Sequence, residues 1–284
     1  MKKLNYISIV IILLSSIHSF AQEKNSLLLN LAYFNNNNNY QYLTAQAKTR
    51  VDGKFQMVPG VELSFYITSE SPSNLLGKAI TNDNGYATVM IPPSAKEEWN
   101  KAAKQTFVVT SSASKLYDAG NGTVDVTKAK IKIDTAADKK ITATLYELKD
   151  TAWIAVKGID LKVAVKRLDG DLNVSETPTY TTDSLGSISA DFKRDSLPGD
   201  SKGNLTLVAR LEDNELYGNL TAEKVVPWGS VTQYTSEFDK RTLFARRGKS
   251  PLWLEFMAYS IVAGVWGVLI YLFFQIKKMK SFGV

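Results

Sequence analysis

The chain has 284 residues, a formal net charge of +6, no cysteine and a single histidine, His18. Without cysteine, the protein can form neither disulfides nor thiolate metal sites, and it has no cysteine nucleophile. His18 lies in a predicted leader, so the mature chain would lack the residues of Ser-His and Cys-His catalysis and of most zinc, copper and haem sites. We therefore predict a protein that is not an enzyme, with no catalytic residues, no metal and no cofactor.

The positive charge is concentrated near the ends of the chain. Residues 22–235 contain 24 Lys and Arg against 25 Asp and Glu, a net charge of −1. The excess of basic residues flanks the two long apolar runs, which favours contact with a membrane surface. We expect no nucleic-acid partner. A hydrophobic content of 44% with 22% charged residues is typical of globular domains.

The first 21 residues have the pattern of a secretory signal peptide. Lys2 and Lys3 form a positive region, the apolar run 7–17 follows, and Ser19 and Ala21 place small residues before a cleavage site. We expect cleavage after residue 21, which would send the rest of the chain out of the cytoplasm. The alternative is an uncleaved anchor, for which the run is short.

Residues 22–39 are predicted to form a flexible N-terminal segment. A short apolar stretch at 27–34 is followed by five asparagines at 35–39. Low-complexity runs of this kind are typical of loops, so we interpret the asparagines as a spacer.

Residues 40–233 contain a tandem repeat. Many residues recur 98 positions later, among them Thr44, Gly60 and Leu63, which return as Thr142, Gly158 and Leu161. The alternating apolar residues of 61–67 match those of 159–165, and a second alternating stretch at 87–91 matches 188–192. Alternation with period two predicts half-buried strands. We predict an all-β fold with two β-sandwiches, 40–134 and 139–233.

The turns of the repeat resemble those of a known family. Residues 81–87 (TNDNGYA) and 182–186 (TDSLG) resemble the T-D-x-x-G hairpin of bacterial Ig-like domains, with Asn82 where the family often has Asp. Residues 59–63 (PGVEL) resemble the V-x-G-v-x-V opening of the Big and carboxypeptidase-regulatory-like sandwiches. The resemblance implies tandem Ig-like sandwiches that serve as stalks, spacers or binding modules, rarely as catalysts.

Two short helices are predicted beside the sandwiches. Ser94 can cap a helix over 95–103. In the juxtamembrane segment 234–251, capping residues predict a helix near 237–247. We expect the basic residues of this segment to lie against anionic headgroups; they are Lys240, Arg241, Arg246, Arg247 and Lys249.

Residues 252–276 are predicted to form a single transmembrane helix. Nineteen residues from Phe256 to Phe274 have no charge, and ten of them are Leu, Ile, Val or Phe. At 1.5 Å per residue they reach about 28 Å, close to the thickness of the bilayer's hydrocarbon core. Residues 277–284 then form a cytoplasmic tail.

The orientation involves a conflict between two signals. More basic residues precede the span than follow it, so the positive-inside rule alone would place the sandwiches in the cytoplasm. We give precedence to the leader, which commits the following chain to export. The predicted location is the bacterial inner membrane, with a single pass and the bulk of the chain in the periplasm.

Small residues at four-residue spacing predict a helix-packing face on the span: Ser260, Ala263, Gly264 and Gly267. Such a face lets another helix approach closely. The predicted partners are the lipid bilayer and a membrane protein. We expect a non-catalytic scaffold, an accessory subunit of an inner-membrane complex, respiratory or secretory. The alternative is a surface module that binds glycan or cell wall through aromatic residues such as Tyr66 and Trp99.

Three short motifs have simpler interpretations. Residues 112–115 match the S-x-x-K of penicillin-binding proteins, but they follow a strand and lack the companion motifs. Residues 169–173 resemble the start of a calcium loop, but the later glycine and glutamate are missing. Four Asp-Thr/Ser triplets resemble acceptors of bacterial O-glycosylation; they begin at Asp134, Asp150, Asp183 and Asp195.

Overall fold

The computed structural model describes residues 24–231 and 251–281, which belong to two separate units. The first unit contains seventeen strands. The first eight are β1 (Leu27–Asn36), β2 (Tyr40–Val51), β3 (Lys54–Met57), β4 (Glu62–Ile67), β5 (Leu75–Ile80), β6 (Tyr86–Met90), β7 (Lys104–Ser111) and β8 (Gly120–Thr127). The others are β9 (Ala129–Thr135), β10 (Lys140–Lys149), β11 (Ala152–Ala155), β12 (Asp160–Arg167), β13 (Gly170–Asn173), β14 (Tyr180–Thr181), β15 (Ser187–Asp191), β16 (Leu205–Asn214) and β17 (Gly218–Val226).

The strands follow the alternation of the sequence, because successive side chains of a strand point to opposite faces. In β4, Leu63, Phe65 and Ile67 are buried, and the residues between them are not. In β12, Leu161 and Val163 repeat the pattern 98 positions later. The prediction of an all-β fold with two tandem Ig-like β-sandwiches and a C-terminal apolar helix is confirmed.

Three sheets form the two sandwiches. In the first, the four-stranded sheet β5-β4-β7-β8 packs on β1, β2 and β6 over residues such as Leu43, Phe65 and Phe107. In the second, β11, β10, β15 and β9 form a sheet that packs on β12, β16 and β17, with Leu145 and Leu207 in the core. Most buried apolar residues of both sandwiches belong to one continuous hydrophobic cluster, and Leu27, Ala47 and Val58 form a small second one.

The predicted flexible segment at 22–39 is wrong for residues 27–36, which form strand β1. This strand pairs with β2 in antiparallel fashion along its whole length. It also pairs in parallel with β17, where Phe34 to Asn36 face Asn219 to Thr221. The result is one nine-stranded sheet, ordered β13-β12-β16-β17-β1-β2-β3, with β14 and β6 attached at its sides. The alternating buried residues Leu27, Leu31 and Tyr33 give β1 its core face.

The asparagines are not a spacer but the turn between β1 and β2, and this turn contacts the second sandwich. Asn37 and Asn38 adopt left-handed φ angles of 55° and 54°, which asparagine tolerates better than most residues. The Asn38 side chain donates to Ile131 O at 2.9 Å and accepts from Ile131 N at 3.3 Å. Asn37 Oδ1 accepts from Glu223 N at 2.7 Å. The second sandwich therefore holds this turn on two strands, β9 and β17.

The first strand of each sandwich lies outside the boundaries predicted at 40 and 139. β9 forms a hairpin with β10 and so belongs to the second sandwich, just as β1 belongs with β2. The sequence match between the copies begins at the second strand of each, so the prediction placed β1 in the flexible segment and β9 in the first sandwich.

A short helix crosses one end of the first sandwich. Helix α1 (Lys96–Asn100) follows a 3₁₀ turn at Pro93–Ala95 and is shorter than the predicted 95–103. Its Trp99 is 8% exposed and belongs to the core.

The second described unit is helix α2 (Leu252–Ser281), with 30 residues. It contains the predicted span, and its last residues continue into the predicted tail. Among the described residues it is the one helix long and apolar enough to cross a membrane. Every residue from 256 to 281 is exposed. The predicted signal peptide at 1–21 and residues 234–250 of the juxtamembrane segment lie outside the described residues.

The junction of the sandwiches leads to a test at Gly218, the first residue of β17. Gly218 has φ +68°, and a Cβ there would lie 2.8 Å from Tyr33 O in β1. Gly53 has a similar φ of +78° with nothing within 4 Å. We expect Gly53→Ala to cost about 1–2 kcal/mol from backbone strain alone. Gly218→Ala should cost ~2 kcal/mol more, because Tyr33 must also move.

Denaturant unfolding of the two variants measures the difference. Equal losses of unfolding free energy in both variants would show that β17 and β1 do not approach each other closely.

Candidate functional site

The hairpin between β16 and β17 fills the junction between the two sandwiches. Tyr217 is 3% exposed, and its hydroxyl donates to Glu147 Oε2 at 2.7 Å. Burial, and to a lesser degree the Glu147 carboxylate, raises the pKa of Tyr217, so the hydroxyl stays protonated and keeps donating. Leu216 O of the same hairpin accepts a 2.7 Å hydrogen bond from Thr127 N at the end of β8, which belongs to the first sandwich.

A groove opens beside this junction. One cavity of about 290 Å³ has a wall from each sandwich; its lining residues are Tyr33, Asn35, Asn38, Gln41, Trp99, Asn100, Lys128, Ala129, Lys130, Leu148 and Trp153. An adjoining cavity of about 400 Å³ shares four of them, Asn38, Gln41, Trp99 and Asn100, and adds Asn39, Lys96 and residues 91–93. We call the two together the junction groove. Its lining includes three lysines and no Asp or Glu.

Lys128 is a buried cation in the wall of this groove. The residue is 7% exposed, and its Nζ lies 4.9 Å from the centroid of the Trp99 ring. Lys128 forms no ion pair with any residue in the described ranges. Burial lowers the pKa of Lys128, because a charge that leaves water without a counter-ion is destabilised.

Asn35 adds a second incompletely paired polar group to the same cavity. Its side chain is 4% exposed, and its Nδ2 donates to Ala129 O at a long 3.4 Å. Its Oδ1 accepts no hydrogen bond from the described part of the chain. A buried acceptor without a donor costs about 1–3 kcal/mol, so the cavity wall is not built for stability alone.

The aromatic residue proposed to stack on sugars, Trp99, is not available as a platform. Its ring stacks on Tyr33 and Phe107, at centroid distances of 5.7 Å and 5.6 Å, within the core. Tyr66 lines a different cleft of about 570 Å³. Among the aromatic residues that line the junction groove, Trp153 reaches the surface: it is 43% exposed and has Lys130 Nζ 4.0 Å from its centroid.

The S-x-x-K match and the calcium-like loop occupy turns and strands. Ser114 Oγ accepts from Tyr117 N at 3.0 Å, so the S-x-x-K stretch is part of a turn. Asp171 lies in β13 and pairs with Arg210. No group of three or more His, Cys, Asp or Glu that could hold a metal occurs among the described residues.

The predicted helix-packing face lies along one side of α2. Ser260, Ala263, Gly264 and Gly267 are all exposed. Apart from the helix's own nearby backbone and the chain neighbours, no atom of the described residues lies within 4 Å of a Cβ placed at Gly264 or Gly267, and Ser260 Oγ donates to Met257 O at 2.8 Å. The predicted membrane-surface residues, from Lys240 to Lys249, lie outside the described ranges.

Sequence reasoning missed the junction groove. Its walls come from β1, α1, β9 and β11, which are distant in sequence. One sequence signal was available. Lys128 and Lys130 flank the apolar Ala129 at the start of β9, an alternating strand that lies outside the matched part of the repeat.

Comparisons with known proteins identify no family. No family model matches the chain, and no curated protein matches it. Among solved structures, a tetra-tandem repeat from the extending region of a large adhesion protein is similar, with 14% identity and a TM-score of 0.26, over 71% of this chain and 48% of that one. The chain thus spans about half the length of that structure.

Two further solved structures have similarly low scores. The D0-D1 domain of intimin has 18% identity and a TM-score of 0.24, over 69% of this chain and 96% of that one. Native alpha-2-macroglobulin from Escherichia coli, domains NIE to MG1, has 11% identity and a TM-score of 0.24, over 72% and 96%. At such scores the function has to be argued from the residues of this chain.

The buried charge of Lys128 leads to a test by pH. Lys128→Met keeps the apolar contact with Trp99 and removes the charge. We expect the thermal midpoint at pH 7 to rise by about 2–4 °C, equivalent to ~1 kcal/mol for a unit of this size. The pKa of folded Lys128 is below the ordinary 10.5, so the wild-type penalty shrinks as the pH rises toward 10.5. The gain should therefore diminish at pH 10.

Calorimetry at both pH values measures this, with Lys132→Met as the control. Lys132 lies four residues after Lys128, in β9, is exposed and pairs with Asp134. A lower midpoint for Lys128→Met at pH 7 would contradict a destabilising charge.

Proposed function

We propose that this protein is a membrane-anchored, extracytoplasmic interaction module without catalytic activity. One observation supports this most strongly: two Ig-like sandwiches share a single core, and the same chain contains a 30-residue apolar helix whose side chains are exposed from 256 to 281. Apolar surface of that extent is unfavourable in water, at about 25 cal/mol per Å². Lipid is the environment that suits it.

The two sandwiches are suited to presenting a binding surface and not to catalysis. The described residues contain no cluster of metal-binding side chains. The nine-stranded sheet links the two sandwiches by backbone hydrogen bonds, which limits hinge motion between them. A rigid pair of this kind can present a binding surface of fixed geometry. The location that fits the leader and the span is the inner membrane, with the sandwiches in the periplasm.

The membrane partner is the more specific part of the proposal. Ser260 and Gly264, and Ala263 and Gly267, lie four residues apart on α2, and their side is open. Helices associate in lipid mainly by close packing, which small residues permit. We infer that this face packs against a helix of a larger membrane complex, and that the protein is an accessory subunit of it.

Anchoring is tested by extraction. The full chain, expressed in a bacterial host, should remain with the membranes after washing in alkaline carbonate. A chain ending at residue 250 lacks α2 and should be released into the aqueous fraction. Protease added to spheroplasts should digest residues 22–235 while intact cells are protected. Release of the full chain by carbonate would remove the basis for an anchor.

Packing of the helix is tested by paired substitutions. Gly264→Leu with Gly267→Leu fills the small-residue face, and we expect recovery of co-purifying membrane proteins in mild detergent to fall about tenfold, equivalent to ~1.4 kcal/mol. The matched control is Val262→Leu with Val265→Leu, which adds bulk on the opposite side of the helix at 100° per residue. Unchanged co-purification in the glycine variant would exclude this face as the contact.

A further inference from the structure

The junction groove has the size and the walls of a ligand site. Its two cavities, about 290 and 400 Å³, adjoin through Asn38, Gln41, Trp99 and Asn100. Small-molecule sites in proteins span about 300–1,000 Å³. Because β1, α1, β9 and β11 all contribute to it, the groove exists only when both sandwiches are assembled.

The positive charge of the groove favours an anionic ligand. Lys96, Lys128 and Lys130 line it, and no acidic residue does. Lys128 is the decisive group, because it is 7% exposed and lacks an ion pair with the described residues. Among the described residues, the face of Trp99 lies 4.9 Å from its ammonium group and partly compensates the charge. A carboxylate entering the groove would offset the cost of this buried charge.

The neutral side chains of the groove suit a ring with hydroxyl groups. Gln41 and Asn100 line both cavities, and their amides form no side-chain hydrogen bond within the described residues. The Oδ1 atom of Asn35 lacks a donor in the wall of the same cavity. Trp153 offers a partly exposed indole ring, on which the C–H face of a sugar can pack. Amides, an indole and one buried cation together match a sugar that contains one carboxylate.

We propose that the junction groove binds a pyranose bearing a carboxylate, a uronic acid unit of a glycan, with its carboxylate on Lys128 and its ring against Trp153. Asn100 and Gln41 hydrogen-bond the hydroxyl groups. This site is distinct from the helix-packing face of α2, so it adds a ligand to the tethered module and does not depend on the anchor.

Binding is measured by calorimetry on the full chain in detergent micelles. The probes are glucuronic acid and trigalacturonate, with glucose and trigalactose as neutral counterparts of the same size. We expect each acidic probe to bind at least about tenfold more tightly than its neutral counterpart, as for a charge-assisted hydrogen bond. The preference should weaken with added salt, because the carboxylate–lysine attraction is screened.

Substitutions at Lys128 and Trp153 test which side chains contact the sugar. Lys128→Met should lower the affinity for glucuronic acid by about tenfold or more and remove the preference over glucose. Trp153→Ala should lower the affinity for both sugars by about fivefold, whereas Trp153→Phe should restore most of it. Lys132→Met is the matched control on β9, outside the groove, and should change affinity less than about twofold. Thermal unfolding of each variant establishes that it is folded.

Four results would overturn the proposal. They are the absence of binding by both acidic probes, equal affinity for acidic and neutral sugars, full affinity in a folded Lys128→Met variant, and tighter binding of a triglutamate peptide than of trigalacturonate. The last would identify the groove as a site for acidic peptides. None of them bears on carbonate extraction, so a failure here leaves the anchoring of the chain as an independent question.

Discussion

The parallel pairing of β1 with β17 is the contact on which the rest of the first unit depends. Only three residue pairs form it, Phe34 to Asn36 against Asn219 to Thr221. Without it, the first strand of one sandwich and the last strand of the other would be open sheet edges, which favour unwanted association. With it, the two repeats share one sheet and one hydrophobic cluster. This short pairing therefore joins the two sandwiches into a single folded unit.

Polar side chains make this contact specific. Asn37 and Asn38 bond to β17 and β9, and Thr127 N donates to Leu216 O across the junction. A hydrophobic contact alone tolerates sliding, but these bonds have fixed donors, acceptors and distances. Two polar groups at the same place are poorly compensated, the Lys128 ammonium and the Asn35 acceptor. Proteins leave polar groups without full compensation mainly at functional sites, so the junction is a candidate binding surface.

Much of the architecture was predictable because its signals are local. The alternation of 61–67 and its copy at 159–165 indicated strands without any tertiary information, and the positive φ of Gly85 and Gly186 fits the predicted turns. Trp99 was misjudged for an equally simple reason. A tryptophan among charged residues of a short helix looks exposed, but this helix lies over the open end of the sandwich and directs the ring into the core.

The sequence by itself determined the repeat, the strands, the tandem sandwiches and the long apolar helix, because period-two and continuous apolar patterns are read over a few neighbouring residues. Only the tertiary structure decided the role of β1, the asparagine turn and the junction groove. Asn37 and Glu223, which are 186 residues apart, meet in a hydrogen bond, and nothing in either local sequence specifies the other. Pairing between distant strands depends on how the finished sandwiches fit together, so it leaves no short-range pattern to detect.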